Sequence, residues 1–213
     1  MGKPSLSSLG NRSSVKVFVF NGSPRKGGNI DLLLTEAEKA VKAAGGADKE
    51  GHQWTRFDLN RMSIRPCQDC GGCEKTGECV IKDDMVQIHQ AIRDADRIIL
   101  ASPVFFFGLS AQTKAVIDRC QSFWCEKYLL KRPLPEGPYG RKGLLLLVGG
   151  MKKEVGIQCS ETAARAFFRT ISVPQDETLG FLGVDEKGAI VKHATALGDV
   201  YRAAERLVAT DKR

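Results

Sequence analysis

Two segments, Arg97 to Ser102 (RIILAS) and Gly143 to Gly149 (GLLLLVG), are nearly continuous apolar runs. A strand with one face in water alternates apolar and polar residues; a run without alternation is buried on both faces, as in the centre of a parallel sheet sandwiched between helices. Strand-like and helix-like segments alternate through the rest of the 213 residues, as such a sheet requires. Val15 to Phe20 (VKVFVF) reads as the first strand, and Asn29 as the N-cap of a helix to about Ala44 whose Leu32, Leu33, Leu34, Ala37, Ala40 and Val41 face inward, with Gly45 ending it. The mixed polarity of Gln53 to Leu59 puts the second strand at or near an edge. Asp83 and Asp84 open a helix with Met85, Ile88 and Ile92 at helical spacing, the acids at its positive end. Helices over Ala111–Lys127, Glu161–Ile171 and Leu197–Ala209, a strand near Glu177–Gly183 and a Pro/Gly-rich loop over Lys131–Arg141 complete five βα units. Residues 1–14 are polar and are expected to form a disordered tail, leaving 15–213 as one domain with a cysteine-rich loop at 65–84.

Charge and composition narrow the function classes. Lysine and arginine number 32 against 25 acids, a net charge of +7, but they are dispersed and no basic stripe interleaves with aromatics. Nucleic acid is therefore not an expected partner; the charge suits anionic cofactors or acidic proteins. No run approaches the roughly 20 apolar residues of a membrane span. The first residues lack the apolar core of a secretory signal, and Leu6 stands where a myristoylation motif has Ser or Thr. Seven cysteines, four of them in one loop and none behind an export signal, read as reduced thiols or ligands in a cytoplasmic protein.

The four are Cys67, Cys70, Cys73 and Cys79, spaced CxxCxxCxxxxxC, with Gly71, Gly72 and Gly77 loosening the backbone so that sulfurs can converge. Zinc sites usually pair two CxxC knuckles across a longer spacer. Bacterial ferredoxin runs have three residues before a fourth cysteine that serves another cluster, whereas here five intervene and Val80 follows. One [4Fe-4S] cluster on all four, a zinc ion and a bare thiol loop remain as readings. Cys120, Cys125 and Cys159 fall on expected helices and read as packing residues. His52, His89 and His193 show no ligand or triad spacing, and no hydrolytic constellation is evident.

Directly after the first strand comes NGSPRKGGNID, Asn21 to Asp31. A loop from a strand's carboxyl end into a helix N-terminus presents free N–H groups and a positive dipole to a phosphate, and Ser23, Arg25 and Asn29 add side-chain donors. A nucleoside-triphosphate loop needs Lys and Ser/Thr after its second glycine, but Gly28 and Asn29 follow Gly27; GxGxxG is also missing. The third strand ends in SPVFFFG, Ser102 to Gly108, where three phenylalanines can form a flat wall for a ring system. In a doubly wound sheet of order 2-1-3-4-5 the first and third strands are neighbours at the switch point, where ligands bind.

With GSPRKGGN, the cysteine loop running into VIKDDM (Val80 to Met85), SPVFFFG and KAVIDR (Lys114 to Arg119), in that order, the chain resembles the flavodoxin-like NADPH-dependent FMN reductase superfamily. Its compact cysteine motif is similar to that of the iron-sulfur flavoprotein branch. The resemblance covers about Val15 to Ala209 and implies a flavodoxin-like three-layer α/β sandwich with a five-stranded parallel sheet. It implies FMN, with its phosphate on Ser23, Arg25, Gly28, Asn29 and Ile30 and its isoalloxazine against Pro103, Val104, Phe105, Phe106, Phe107, Gly108, Gly149 and Gly150. It also implies a [4Fe-4S] cluster on the four cysteines, a ferredoxin-type protein or NAD(P)H as donor, and a homodimer or homotetramer, for which the loop Lys131–Arg141 and Trp124 are candidate contacts. Two departures stand out: Ile30 occupies a position that usually carries a hydroxyl, and Phe106 one where Tyr is common. The expected activity is electron transfer between cluster and FMN; the alternatives are an NAD(P)H-dependent FMN or quinone reductase without a cluster, and a non-enzymatic flavodoxin-like carrier.

Overall fold

The computed structural model of the protein describes residues 14–45 and 51–210; the expected N-terminal tail, Ser14 apart, lies outside them. Five parallel strands, β1 (Lys16–Asn21), β2 (Gln53–Asp58), β3 (Arg97–Phe105), β4 (Lys142–Gly149) and β5 (Gln175–Leu182), pair in the order β2-β1-β3-β4-β5. This is the expected 2-1-3-4-5 arrangement, and β2, half-buried along its length, is an edge strand. The end of β3 folds back on itself, Val104 pairing with Leu109 and Phe105 with Gly108.

The two apolar runs sit at the centre and divide their side chains between two cores. Ile99, Ala101, Leu144, Leu146 and Val148 pack under α1 (Asn29–Ala44) and α6 (Ala196–Val208). Ile98, Leu100, Leu145 and Leu147 pack under α2 (Met85–Asp94), α3 (Ala111–Arg119) and α5 (Val155–Thr170). Each fully buried Leu or Ile contributes about 1.5–3 kcal/mol of transfer free energy, which is why β3 and β4 need no polar face.

Three local expectations are corrected. The helix expected over Ala111–Lys127 breaks at Cys120 (φ −76°, ψ 6°), resumes as α4 (Gln121–Trp124) and widens into a π-turn over Cys125–Leu129. Helix α5 begins at Val155, before the expected Glu161: Gly156, unfavourable by propensity, lets the helix start press on β3, where an added Cβ would lie 2.8 Å from Val104 Cγ1. Asn29 is not the N-cap of α1; Gly28 holds that position without a side-chain bond. At α2, Asp83 Oδ1 accepts the Met85 N–H at 3.1 Å, in line with the capping reading of the acid pair.

Candidate functional site

At the carboxyl edge of the sheet, the loop after β1 and the end of β3 line one cavity of about 110 Å³. Ser23, Arg25, Asn29 and Ile30 face it from one side, Pro103, Val104 and Phe105 from the other, and Gly150, Val184 and Asp185 close it. These two segments are adjacent because β1 and β3 pair in register from Val17 with Arg97 to Asn21 with Ala101. The first helical bond of α1 runs from Leu32 N–H to Gly28 O at 3.1 Å, so the amides of Asn29, Ile30 and Asp31 have no helical acceptor. Ile30 is buried, which leaves only its N–H for a ligand.

The loop's shape is fixed from below by Asn21 on β1 and by charges on α1 and β2. Asn21 Nδ2 donates to Asp58 Oδ1 at 2.8 Å and Asp31 Oδ1 at 3.2 Å, while Asn21 Oδ1 accepts the Ser23 N–H at 3.0 Å. Arg56 bridges Asp58 (2.6 Å) and Asp31 (2.5 Å), and Asp31 Oδ2 accepts the Gly27 N–H at 2.5 Å. Burial works against both charges of the Arg56–Asp58 pair, yet Asp58 and Asp31 together raise the Arg56 pKa, and Asn21 and Arg56 hold the Asp58 carboxyl below its ordinary range. Gly22 is glycine because α3 starts against it: an added Cβ would lie 1.8 Å from Thr113 Oγ1.

From above, the segment after β5 reaches over. Arg25 donates to Asp185 O at 3.0 Å; Asn29 donates to Glu186 O at 2.9 Å and accepts the Ile190 N–H at 3.2 Å. The Asn29 side chain is thus used to hold that segment, leaving its backbone N–H toward the cavity. The same segment brings Lys187, whose Nζ lies 3.9 Å from where a Cβ on Gly27 would be. Nothing in the DEKG turn identified this cation.

The phenylalanines divide. Phe105, Phe106 and Phe107 are all exposed, but only Phe105 lines the cavity; Phe106 is fully in solvent, and Phe106 and Phe107 both have positive φ (47° and 63°). Two consecutive bulky residues in that region cost on the order of 1–3 kcal/mol each. Gly28, Gly108 and Gly149 do not line the cavity, and Gly149 is buried between Val104 and Leu182.

The cysteine loop leaves the same edge, after β2. Its ends are zipped: Asp84 Oδ2 accepts the Ser63 N–H (2.7 Å), Asp83 Oδ2 the Arg65 N–H (3.0 Å), and Asp84 N–H donates to Ser63 O (3.2 Å). Arg119, 1% exposed, clamps both ends by donating to Arg65 O (2.8 Å), Ile81 O (3.2 Å) and the Asp83 carboxylate (2.8 and 3.1 Å). Burial opposes its charge, but Asp83, and Cys79 when ionised, more than offset this and raise its pKa; Arg119 in turn holds the half-buried Asp83 below the carboxylate range despite desolvation. His89 Nε2 lies 3.1 Å from Arg119 O, and burial lowers its pKa to about 4, so this ring is neutral near pH 7.

Cys67, Cys70, Cys73 and Cys79 line one cavity of about 40 Å³ together with Arg119, Gln121, Ser122 and a fifth cysteine, Cys125. Cys73 Sγ is 3.6 Å from Cys125 Sγ, and burial, followed by this contact, pushes the Cys73 thiol up to about 12. The packing role expected for Cys120 agrees with its burial; Cys159, by contrast, is exposed, and Cys125 belongs to the thiol cavity. Among the described residues no group of three or more His, Cys, Asp or Glu side chains converges at metal-binding spacing. The donor set nonetheless fits a thiophilic group: five thiols share a cavity with a buried guanidinium whose Nε finds no acceptor. The cavity is the size of about one water, so an iron-sulfur group needs the loop to open on Gly71 and Gly77, both at positive φ.

A doubly wound sheet with a phosphate-type loop and an apolar wall at its switch point defines a flavodoxin-like protein. The sequence model of the family "NADPH-dependent FMN reductase" matches residues 15–177, and the chain belongs to that family. The chain is also similar to several proteins named iron-sulfur flavoproteins. It is 36% identical over 142 residues to an iron-sulfur flavoprotein of Archaeoglobus fulgidus (65% of this chain, 66% of the relative) and 40% identical over 105 residues to one of Methanocaldococcus jannaschii (49% and 51%). The chain thus spans about half to two thirds of the length of these relatives. The solved structure of an NAD(P)H:quinone oxidoreductase from Methanothermobacter marburgensis shares the fold, with a TM-score of 0.66 at 17% identity over 93% of this chain and 100% of that one.

Proposed function

We propose that the protein is an FMN-dependent oxidoreductase that exchanges electrons between a [4Fe-4S] cluster and its flavin. The observation that carries this reading is the joint cavity of the β1 loop and the β3 end, with a second, thiol-lined cavity at the same edge of the sheet. Bound FMN supplies one- and two-electron chemistry, and a bound cluster one-electron chemistry; the protein supplies position and electrostatics. The amides of Asn29, Ile30 and Asp31, the Ser23 hydroxyl and the Arg25 guanidinium hold the phosphate, with Gly28 admitting it: a Cβ there would lie 2.9 Å from Arg25 O. Pro103, Val104 and Phe105 form the apolar wall for the ring, Gly149 and Gly150 its opposite rim, and Phe106, Phe107 and Gly108 the turn that presents it. Cys67, Cys70, Cys73 and Cys79 are the cluster ligands.

The names of the 30–40% identical relatives support the cluster, and the family supports FMN and NAD(P)H. NAD(P)H or a ferredoxin-type protein is the donor in this reading, residues 15–213 act as one flavodoxin-like unit, and two or four copies associate through exposed apolar groups such as Phe106, Met151 and Val155. No described helix is long and apolar enough to cross a membrane; in this reading the protein acts in the cytoplasm. A cluster-free NAD(P)H-dependent FMN or quinone reductase is favoured by one observation, the tight, unconverged thiol cavity.

Anaerobic purification with flavin, iron and acid-labile sulfide analysis tests the reading. Flavin with equal iron and sulfide, and loss of iron but not flavin in Cys70→Ala, are the expected results. Flavin without iron after anaerobic reconstitution, with direct bleaching by NADPH, moves the protein to the second reading; absence of bound flavin overturns both.

A further inference from the structure

Cys125 has a position that packing does not explain. It is buried at the first residue of the π-turn, whose wide bond runs from Leu130 N–H to Cys125 O at 2.9 Å. Such turns insert a residue into a helix and frequently mark functional positions. The π-turn faces the cysteine loop closely: a Cβ on Gly77 would lie 3.1 Å from Glu126 Cβ, and Arg132 donates to Thr76 O at 2.8 Å. The outcome is a thiol pair, Cys73 and Cys125, with sulfurs 3.6 Å apart across two elements. Arg119, which lines the same cavity, has a buried Nε with no hydrogen-bond acceptor, a second sign of polar groups left under-paired in this region.

We propose that Cys125 is a thiol-modification site: in the cluster-free protein Cys73 and Cys125 form a disulfide that closes the cavity to iron. That it competes with a cluster rests on the reading above; that it forms does not. A low-molecular-weight disulfide is the oxidant. Its S–S bond breaks as the small thiolate fraction of partly exposed Cys73, whose thiol pKa is held up by burial, forms a mixed disulfide and releases one small thiol; Cys125 then displaces the second. Two protein thiols and one small disulfide become one protein disulfide and two small thiols, so hydrogens and electrons balance. The sulfurs must close by about 1.5 Å to reach the roughly 2.05 Å of an S–S bond. The loop side can supply this movement, because Asp69 and Gly71 form a turn at positive φ (48° and 68°) and Cys70 between them is exposed. A cluster held by Cys73 removes that thiol from the reaction, so the disulfide is confined to the empty state.

The test uses the full chain with FMN, stripped of iron under reducing conditions and then treated with oxidised glutathione. Free thiols are alkylated, and tryptic peptides are mapped by mass spectrometry. The expected product joins the peptide carrying Cys67, Cys70 and Cys73 to that carrying Cys120 and Cys125, with fragmentation assigning Cys73 to Cys125. It is absent from Cys125→Ser and from Cys73→Ser, and absent from wild-type protein loaded with iron and sulfide. Circular dichroism of both variants confirms that they are folded. Alkylation of all these thiols, a stable glutathione adduct on Cys73, or pairing confined to the loop overturns the proposal, as does loss of iron loading in folded Cys125→Ser, which makes Cys125 a ligand instead. A wild-type protein that takes up no iron yet forms the linked peptide overturns the cluster reading and leaves the disulfide standing; iron uptake on reconstitution, with no linked peptide when the iron-stripped protein is oxidised, does the reverse.

Discussion

In the β1/β3 cleft, the lining comes mainly from the end of β3, the first turn of α1 and the loop between β1 and α1, and that loop is tied from below by Asn21, Asp31, Arg56 and Asp58. The cysteine loop has the opposite construction: its ends are zipped to each other and clamped by Arg119, while its middle carries exposed Cys70 and turns at Asp69, Gly71 and Gly77 with positive φ. The cleft is preorganised, with donors already aimed, as phosphate recognition at a helix N-terminus demands. The cysteine loop is anchored at its ends, and a cluster bound there, as proposed, would supply further ties through its middle.

The contrast breaks most visibly at Arg119. Removing one partner of a buried, hydrogen-bonded ion pair typically costs about 3–5 kcal/mol, because the other charge is left unpaired. In Arg119→Met the half-buried Asp83 loses two of its four hydrogen bonds and its ion-pair partner, and the carbonyls of Arg65 and Ile81 lose their side-chain donor at the same time. The expected outcome is a fall of that order in unfolding free energy, with proteolytic cleavage inside 65–84 at concentrations of protease that spare the wild type. Flavin binding by the folded fraction should persist. A variant that loses flavin while the loop stays protected would reverse the assignment of Arg119 to the loop.

Gly22→Ala is the matching break on the other side. Its Cβ would meet Thr113 Oγ1 at 1.8 Å and Ser110 Oγ at 2.8 Å, side chains fixed at the buried N-cap of α3, so the β1 loop must shift. Overpacking of this kind costs about 1–3 kcal/mol. FMN affinity, read by quenching of flavin fluorescence, should fall by about tenfold or more, while iron loading is unchanged.

The parts of this picture that were legible in the sequence are those whose signal is local. RIILAS and GLLLLVG gave away the sheet centre because burial on both faces removes alternation, and Gln53–Asp58 betrayed an edge by keeping polar residues. Ser23 to Ile30 could be read as an anion loop because strand, glycines and helix start are contiguous. The Asn21–Asp31–Arg56–Asp58 network was invisible, since its members come from three elements and no periodicity links them. Lys187 was missed for the same reason. Cys125 is buried, as expected of a packing residue, but its place against Cys73 was not legible, because the break at Cys120 and the π-turn decide which way the following residues face.

Acid separates the two regions more gently. Asp83 has a folded pKa below its unfolded value of about 3.9, so the stability it contributes is fully present above that value and is lost as pH falls through the folded pKa. Asp58 shifts in the same direction, but its loss leaves a loop still held by strand pairing and by Asp31. Asp83 instead accepts from Arg119 and from the Arg65 and Met85 amides, three of the contacts that fasten the cysteine loop. Limited proteolysis with an acid-active protease should therefore show cleavage within 65–84 at a higher pH than the one releasing FMN. Asp83→Asn should move that cleavage toward neutral pH; flavin release preceding loop cleavage would contradict the contrast.

The smallest effect is expected at Lys187, and it sharpens the comparison because this residue belongs to the cleft without belonging to its scaffold. Its side chain is exposed and reaches Gly27 from the segment held by Asn29 and Arg25, so it adds charge near the anion loop but carries no backbone contact there. Solvent and salt screen such a charge, and exposed pairs contribute at most about 1 kcal/mol, or roughly two- to fivefold in affinity. Lys187→Ala should weaken FMN binding by that factor at low ionic strength and by less as salt is raised, whereas riboflavin, which lacks the phosphate, should bind the variant and the wild type equally. A riboflavin affinity that falls in parallel would mean that Lys187 shapes the cavity rather than reading the phosphate. The anion loop would then owe its selectivity to the Asn29–Asp31 amides, the Ser23 hydroxyl and Arg25.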